Sequence, residues 1–348
     1  MTDATDSPLS VLDLAIVAEG SEPADALRNS VELARDVERL GYTRHWVAEH
    51  HNMPGIASAA PAVLIAELAA ATSEIRVGSG GVMLPNHAPL VVAEQFGTLV
   101  GLHPGRIDLG IGRAPGTDPV TAAALRRTAD GLSADDFPQE LGELFAFFDG
   151  EFPEGHPYGR ITAVPGQGSR PEIWLLGSSD YSAQAAGMLG LPFSFAHHFS
   201  PHNTMPALEI YRNSFRASEH LDEPYAMVAL GVICAEDEER ARWLAGPARL
   251  SFARLRQGRP TRFPTPEEAA AHDFTAQEEA AVKAVSGSAV IGDPDRVREG
   301  LLEFAAKTEA DELMLTTMVH AHEDRLRSYE LVAEAMELAP RADHAELT

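Results

Sequence analysis

The chain contains few cysteines and lysines, and it has no long apolar run. One cysteine, Cys234, among 348 residues excludes a disulfide bond within the chain. No apolar run approaches the roughly 18 residues that a membrane helix needs. The segment from Met1 to Ser10 carries neither a basic nor an apolar stretch, so we expect a soluble, cytoplasmic protein.

Positive charge is scarce. Only Lys283 and Lys307 are lysines, and the formal net charge is -25. A chain this acidic repels nucleic acid and anionic membranes, so neither is an expected partner without a local basic patch. At 45% hydrophobic residues, a chain of this length can bury one large core. We therefore predict a single domain over residues 1–348, with flexible tails at 1–8 and 340–348.

Strand-like and helix-like segments alternate along the chain, which is typical of βα units and a parallel sheet. The predicted strands are 9–17, 45–49, 75–84, 106–111, 173–176, 193–196, 225–235 and 313–317. The predicted helices are 24–40, 60–71, 90–102, 138–148, 181–189, 205–218, 238–255, 295–307 and 324–338. Long insertions follow the fourth strand, up to residue 171, and the seventh, at 256–290. Eight strands favour an α/β fold of the (β/α)8 TIM-barrel type; a doubly wound open sheet is the alternative.

Polar residues stand directly after most of the predicted strands. In a barrel these ends meet on one face, so we expect their side chains to form a single cluster. The residues are Glu49, His50, His51, Asn52, Asn86, His87, Arg113, Ser178, Ser179, Asp180, Ser182, His197, His198 and His320.

The run from Arg44 to Asn52 gives the clearest signal of chemistry. An apolar strand ends there in a carboxylate, Glu49, and two imidazoles, His50 and His51. The unperturbed pKa of histidine, about 6.5, allows it to give or take a proton near neutral pH. A capped strand end is the alternative interpretation.

Two other strand ends resemble the walls of a phosphate site. The segment 110–116 brings a strand into a glycine-flanked turn that carries Arg113, whose guanidinium suits a phosphate. The segment 173–179 opens a helix at Ser178, where free backbone amides favour an anion. Equally, Arg113 could pair with a carboxylate and Ser178 could be an ordinary N-cap.

Adjacent histidines at His197 and His198, with His202 nearby, do not predict a metal site. Neighbouring residues of a strand point to opposite faces, and no cysteine or carboxylate cluster completes a ligand set.

Three motifs in order resemble the bacterial luciferase-like family of flavin-dependent monooxygenases. They read WVAEHH at 46–51, IRVGSGGVMLP at 75–85 and GRIDLGIGR at 105–113. A further segment, GDPDRV at 292–297, resembles the family's Gly-x-Pro motif before the penultimate helix. The resemblance extends from about Leu9 to Leu338.

The resemblance implies a (β/α)8 barrel that binds reduced FMN supplied by a separate flavin reductase. The flavin would activate oxygen through a C4a-peroxide and oxygenate a small organic substrate that the sequence does not identify. The family also leads us to expect a homodimer. Related barrels use a deazaflavin for hydride transfer, and others bind FMN without turnover, so these two readings stay open.

Carried over by position, His50 matches the family's catalytic histidine, and Glu49 and His51 flank it. Arg113 matches the arginine that holds the flavin phosphate. Gly80 and Gly81 fall where relatives carry a non-prolyl cis peptide beneath the flavin ring. The phosphate loop after the fifth strand corresponds to Gly177, Ser178, Ser179, Tyr181 and Ser182.

Two departures from luciferases limit the analogy. Gly112 stands where luciferase α chains carry a cysteine, so we expect a roomier site without a thiol. Gly177 replaces a glutamate and removes one carboxylate from the phosphate loop. Residues 256–290 lie where relatives have a mobile lid, although their composition fits plain surface helices equally well.

Overall fold

The fold is a closed barrel of eight parallel strands. The computed structural model describes residues 7–114, 116–126, 136–283 and 287–341. Hydrogen bonding connects neighbouring strands in sequence from the first to the seventh, and the last strand of the chain closes the ring between the first and the seventh. The eight barrel strands are β1 (Leu9–Asp13), β2 (Arg44–Val47), β3 (Arg76–Met83), β4 (Ile107–Gly112), β5 (Glu172–Gly177), β6 (Phe193–Ala196), β7 (Ala226–Cys234) and β9 (Glu312–Thr316). A ninth strand, β8 (Ala289–Gly292), pairs with β7 and lies outside the ring. The predicted barrel is confirmed, and an open sheet is excluded.

Helices surround the barrel. They are α1 (Pro23–Arg39), α2 (Pro61–Ala71), α3 (Pro89–Leu102), α4 (Pro119–Arg126), α5 (Phe137–Asp149), α6 (Asp180–Leu189), α7 (Thr204–Ser214), α8 (Glu238–Arg256), α9 (Pro266–Ala270), α10 (Ala276–Lys283), α11 (Pro294–Thr308) and α12 (His322–Ala335). Many begin with proline in the first turn, where its missing N–H costs nothing. None of the helices in the described ranges is long and apolar enough to cross a membrane.

Local sequence explains the first helix well. Pro23 occupies its first turn, and Glu22 and Asp25 form a reciprocal capping box. Leu33, Ala34 and Val37 face the sheet and are buried. The amphipathic spacing that predicts this helix is therefore the spacing that packs it.

The core has two layers because successive strand residues point to opposite faces. Outward-facing residues such as Val11 and Val47 pack under the helices. Inside the barrel, Trp46 and Trp174 meet edge to face at 5.3 Å. Both tryptophans are fully buried.

An ionic layer closes the amino-terminal end of the barrel interior. The Arg44 guanidinium lies 2.9 Å from Asp108, 3.0 Å from Glu172 and 3.1 Å from Glu312. Trp46 donates its indole N–H to Asp108. Paired charges fill this end of the barrel, so we expect a ligand to bind at the opposite end, where the strands have their carboxyl ends.

Several boundaries differ from the predicted ones. The first strand ends at Asp13 rather than residue 17, because the Asp13 carboxylate accepts a hydrogen bond from the Ala15 N–H and Ala15 takes a φ of 50°. Asp13 thus satisfies a backbone amide and does not face the barrel interior. The helix α4 and the strand β8 were not predicted; β8 pairs only with the upper part of β7.

The insertion after β7 is docked on the barrel. Phe263 is buried, and its backbone exchanges hydrogen bonds with Val17 and Glu19 in the loop after β1. Arg262 donates to the carbonyl of Ser21 at 2.6 Å. Of the predicted tails, residues 1–6 and 342–348 lie outside the described residues, as does Pro115.

Candidate active site

The carboxyl ends of β2 and β3 lie side by side and bring together one carboxylate and several donors. Glu49 is fully buried. It accepts hydrogen bonds from the Met83 N–H at 2.9 Å, from the Asn86 amide at 3.0 Å and from two imidazoles. These are Nε2 of His51 at 2.9 Å and Nε2 of His87 at 3.0 Å.

The electrostatics of Glu49 follow from these contacts. Burial alone would raise the pKa of this carboxyl, but the hydrogen bond and the charge of His87, with the bonds from Asn86 and His51, outweigh it and lower the pKa. Glu49 is therefore an anion that fixes both imidazoles. His87 and Asn86 appear in the sequence only as residues after a strand; their role follows from the adjacency of parallel strands.

His50 lies against the loop that follows β4. Its Nδ1 is 3.3 Å from the carbonyl oxygen of Gly116, and its backbone N–H donates to Ser58. The Thr117 hydroxyl donates to the carbonyl of His51 and ties the same loop down. Burial lowers the pKa of His50, against the opposing effects of the Gly116 carbonyl and Glu49. His50 is therefore neutral near pH 7.

Arg113 lies over the ring of Tyr181, with the guanidinium carbon 4.2 Å from the ring centre. In the described part of the chain it forms no ion pair, so the predicted alternative of a carboxylate partner is not realised. Other arginines in the described ranges, such as the exposed Arg160, also lack an ion pair, and Arg113 differs in being half-buried beside the start of α6. Its stacking on an aromatic ring leaves the guanidinium N–H groups available.

The amino terminus of α6 lies beside this arginine. Its N-cap is Ser179, not Ser178, and no side chain caps the helix. Within the described ranges, no hydrogen bond is formed by the hydroxyls of Ser178, Ser179 or Ser182. Free amides at a helix start and free hydroxyls form a set of donors for an anion.

The glycines of the site are required by close packing. A Cβ on Gly177 would lie 2.7 Å from the Cβ of Ser182, so only glycine fits there. The Gly80–Gly81 peptide bond is cis, as the family resemblance predicts. A Cβ on Gly112 would lie 2.7 Å from Sδ of Met83, so a methionine fills the space that the sequence was expected to leave open.

Not every predicted strand-end residue joins this cluster. His197 is buried away from the barrel mouth, with Nδ1 2.7 Å from the Thr204 hydroxyl and its ring against Phe304. His320 contacts the carbonyl of Glu19. Asn52 donates to Asp118, which in turn binds the first turn of α4. These three residues therefore position loops.

Comparison with known proteins agrees with the resemblance. The family model described as luciferase-like monooxygenase matches residues 9–312. This chain belongs to the luciferase-like monooxygenase family. A luciferase-like monooxygenase of Escherichia coli (strain K12) is 47% identical over 337 residues, covering 97% of this chain and 99% of that protein. An uncharacterized protein of Bacillus subtilis (strain 168), YvbT, is 50% identical over 329 residues, covering 94% and 96%.

Solved structures of the family share the barrel. The crystal structure of apo-MsnO8 superposes with a TM-score of 0.88 at 43% identity, covering 97% of this chain and 100% of that one. More distant structures show the fold alone. One is the oxygenating constituent of 3,6-diketocamphane monooxygenase from Pseudomonas putida in complex with FMN, at 18% identity and TM-score 0.73. Another is an F420-dependent secondary alcohol dehydrogenase, at 14% identity and TM-score 0.67. Both superpositions span nearly the whole of this chain, 97% and 95% respectively.

Proposed function

We propose that this chain is a monooxygenase that uses reduced FMN and molecular oxygen to oxygenate a small organic substrate. The observation that carries the proposal is the position of Arg113, which stacks on Tyr181 beside the uncapped start of α6 and has no ion-pair partner among the described residues. A phosphate monoester carries close to two negative charges, which one guanidinium, free amides and serine hydroxyls satisfy together. The donors available therefore fit the phosphate of a flavin mononucleotide.

The residues at the other end of the site suit proton transfer. His50 is neutral, and Gly116 and Ser58 fix its ring and backbone. Glu49 holds His51 and His87 close by. When bound, reduced FMN would supply the electrons that activate oxygen. His50 would accept or return a proton beside it, because a neutral imidazole does both near pH 7.

Within this proposal a separate flavin reductase supplies reduced FMN, as the family resemblance implies. Homodimerisation also stays a prediction. A deazaflavin is the second candidate cofactor, because the F420-dependent dehydrogenase has the same fold and the donors around Arg113 would hold either phosphate. A protein that binds FMN without turnover is the third reading.

Stopped-flow absorbance tests the proposal. Anaerobic protein loaded with reduced FMN is mixed with oxygenated buffer, beside free reduced FMN and the His50→Ala variant. We expect the protein to alter the time course by which oxidised flavin appears, and the variant to change that course. Reoxidation identical to that of free flavin would refute oxygen activation; hydride exchange with a deazaflavin would then identify the second candidate.

A further inference from the structure

Two imidazoles lie on opposite sides of the mouth of the barrel. His50 follows β2 and His198 follows β6, and these strands are four places apart in a ring of eight, so their ends lie opposite one another. The two rings are close enough that the charge of one affects the other. His198 was noted in the sequence only as half of a histidine pair.

Both imidazoles contact the backbone in the same way. Nδ1 of His50 is 3.3 Å from the Gly116 carbonyl, and Nδ1 of His198 is 3.0 Å from the Ala229 carbonyl. A carbonyl oxygen only accepts, so in each neutral ring Nδ1 carries the hydrogen and donates it. Nε2 of each ring is therefore an acceptor.

The two acceptor atoms are open to a ligand. Neither Nε2 has a hydrogen-bond partner in the part of the chain that the structure describes. Neither atom is fully buried, so solvent or a ligand can reach it. Both rings stay neutral near pH 7. Burial lowers the pKa of His198 to about 4, and nearby imidazole charges lower it further while the Ala229 carbonyl opposes the shift.

The surroundings of His198 are apolar on one side. Phe199 lies against its ring, with the ring centres 4.4 Å apart, and the residue is 56% exposed. A molecule that reaches the two acceptors would therefore contact an aromatic face as well. Arg113 and the α6 terminus, which follow β4 and β5, supply donors, whereas the two imidazoles supply acceptors.

We propose that His50 and His198 form a pair of hydrogen-bond acceptors that selects a neutral, partly apolar substrate carrying an O–H or N–H group. A carboxylate or phosphate would meet two lone pairs there and be repelled. A ketone or ether that lacks a donor would form no hydrogen bond with the pair. That the selected molecule is a substrate rests on the proposed function. Its binding to the two imidazoles is a property of the protein without flavin.

The first test is the tautomer of each ring, read by nitrogen NMR of apoprotein labelled with ¹⁵N-histidine. Spectra of His50→Phe and His198→Phe assign the signals, and His202→Phe, which alters an exposed histidine four residues away, is the control. We expect both rings to carry the proton on Nδ1 at pH 7.5. A proton on Nε2 of either ring would overturn the proposal.

The second test is binding of phenol against anisole, its O-methyl counterpart, followed by the Nε2 signals of wild-type protein. We expect phenol to bind about fivefold more tightly, the value of one added hydrogen bond. Its single O–H donates to one Nε2 or the other, so exchange between these two poses should shift both signals. The preference should fall in His198→Phe and persist in His202→Phe. Equal binding of the two probes would contradict the acceptor pair.

Neither test requires flavin. Binding of reduced FMN is measured separately, so failure of the flavin assignment would leave these results unchanged. Thermal unfolding of each variant establishes that it is folded, and His50→Gln or His198→Gln replaces a phenylalanine variant that is not.

Discussion

The guanidinium of Arg113 lies 4.2 Å above the ring of Tyr181 and has no ion-pair partner in the described part of the chain. Other arginines of the barrel contrast with it: Arg44 contacts three carboxylates, and Arg325 is paired with Asp13 at 3.0 Å. Arg113 differs from these two arginines because it lies beside a helix start without a carboxylate partner there, and this is why we propose that it binds an anionic ligand.

Replacing Glu49 by glutamine should destabilise the fold. The amide would present N–H groups to His51 and His87, whose Nε2 atoms donate to the carboxylate. Loss of buried, charge-assisted hydrogen bonds of this kind costs about 2 to 4 kcal/mol. Urea unfolding measures the difference, with the exposed Glu239→Gln as the matched control. A free energy of unfolding equal to that of wild type would refute the role of Glu49 as a hub.

Stability should fall as the pH drops from about 6.5 toward 4, in part because of His198. Burial lowers its pKa to about 4 in the folded state, so between these values the unfolded chain binds the additional proton. The contribution of neutral His198 to the free energy of unfolding is fully present above pH 6.5 and is lost as the pH falls through 4. This loss amounts to about 3 kcal/mol. Urea unfolding at several pH values should give a flatter dependence for His198→Phe than for wild type. If His198→Phe shows the same slope of unfolding free energy against pH as wild type, the role of His198 is contradicted. The control, His202→Phe, should keep the wild-type slope.

Substituting Gly112 by cysteine should introduce a clash with Met83. The new Cβ would lie 2.7 Å from the methionine sulfur, and the flexible side chain must move. Overpacking of this kind costs about 1 kcal/mol or more. The free energy of unfolding of Gly112→Cys should therefore rise when Met83→Ala is added. If the double variant loses at least as much free energy of unfolding as the two single variants lose together, the clash is not the cause.

Sequence patterns predicted the barrel well because its strands are buried and its helices are amphipathic. Alternation of these segments, with turn residues between them, fixes the fold. The strand β8 was missed because Ala289–Gly292 is short and pairs with only part of β7. The helix α4 was missed because a region rich in glycine, proline and aspartate surrounds it.

The site was predicted less completely, and the reason is spatial. Glu49, His50 and Arg113 each follow the end of a strand, so topology alone places them at the mouth. Their partners come from neighbouring strands and loops: His87 reaches Glu49, and Gly116 reaches His50. Tyr181 was assigned to the phosphate loop, but its stacking on Arg113 depends on how far α6 lies from β4, which sequence spacing does not give.

Equilibrium binding of reduced FMN under anaerobic conditions tests the central claim most directly. The variant Arg113→Ala loses the unpaired guanidinium, and Arg160→Ala makes the same change of charge at an exposed position. A charge-assisted contact to phosphate is worth about 1.5 to 3 kcal/mol, so the Kd should rise roughly tenfold to a hundredfold in Arg113→Ala. In Arg160→Ala it should match wild type. Equal affinity in Arg113→Ala and wild type would contradict the assignment of this site to the flavin phosphate.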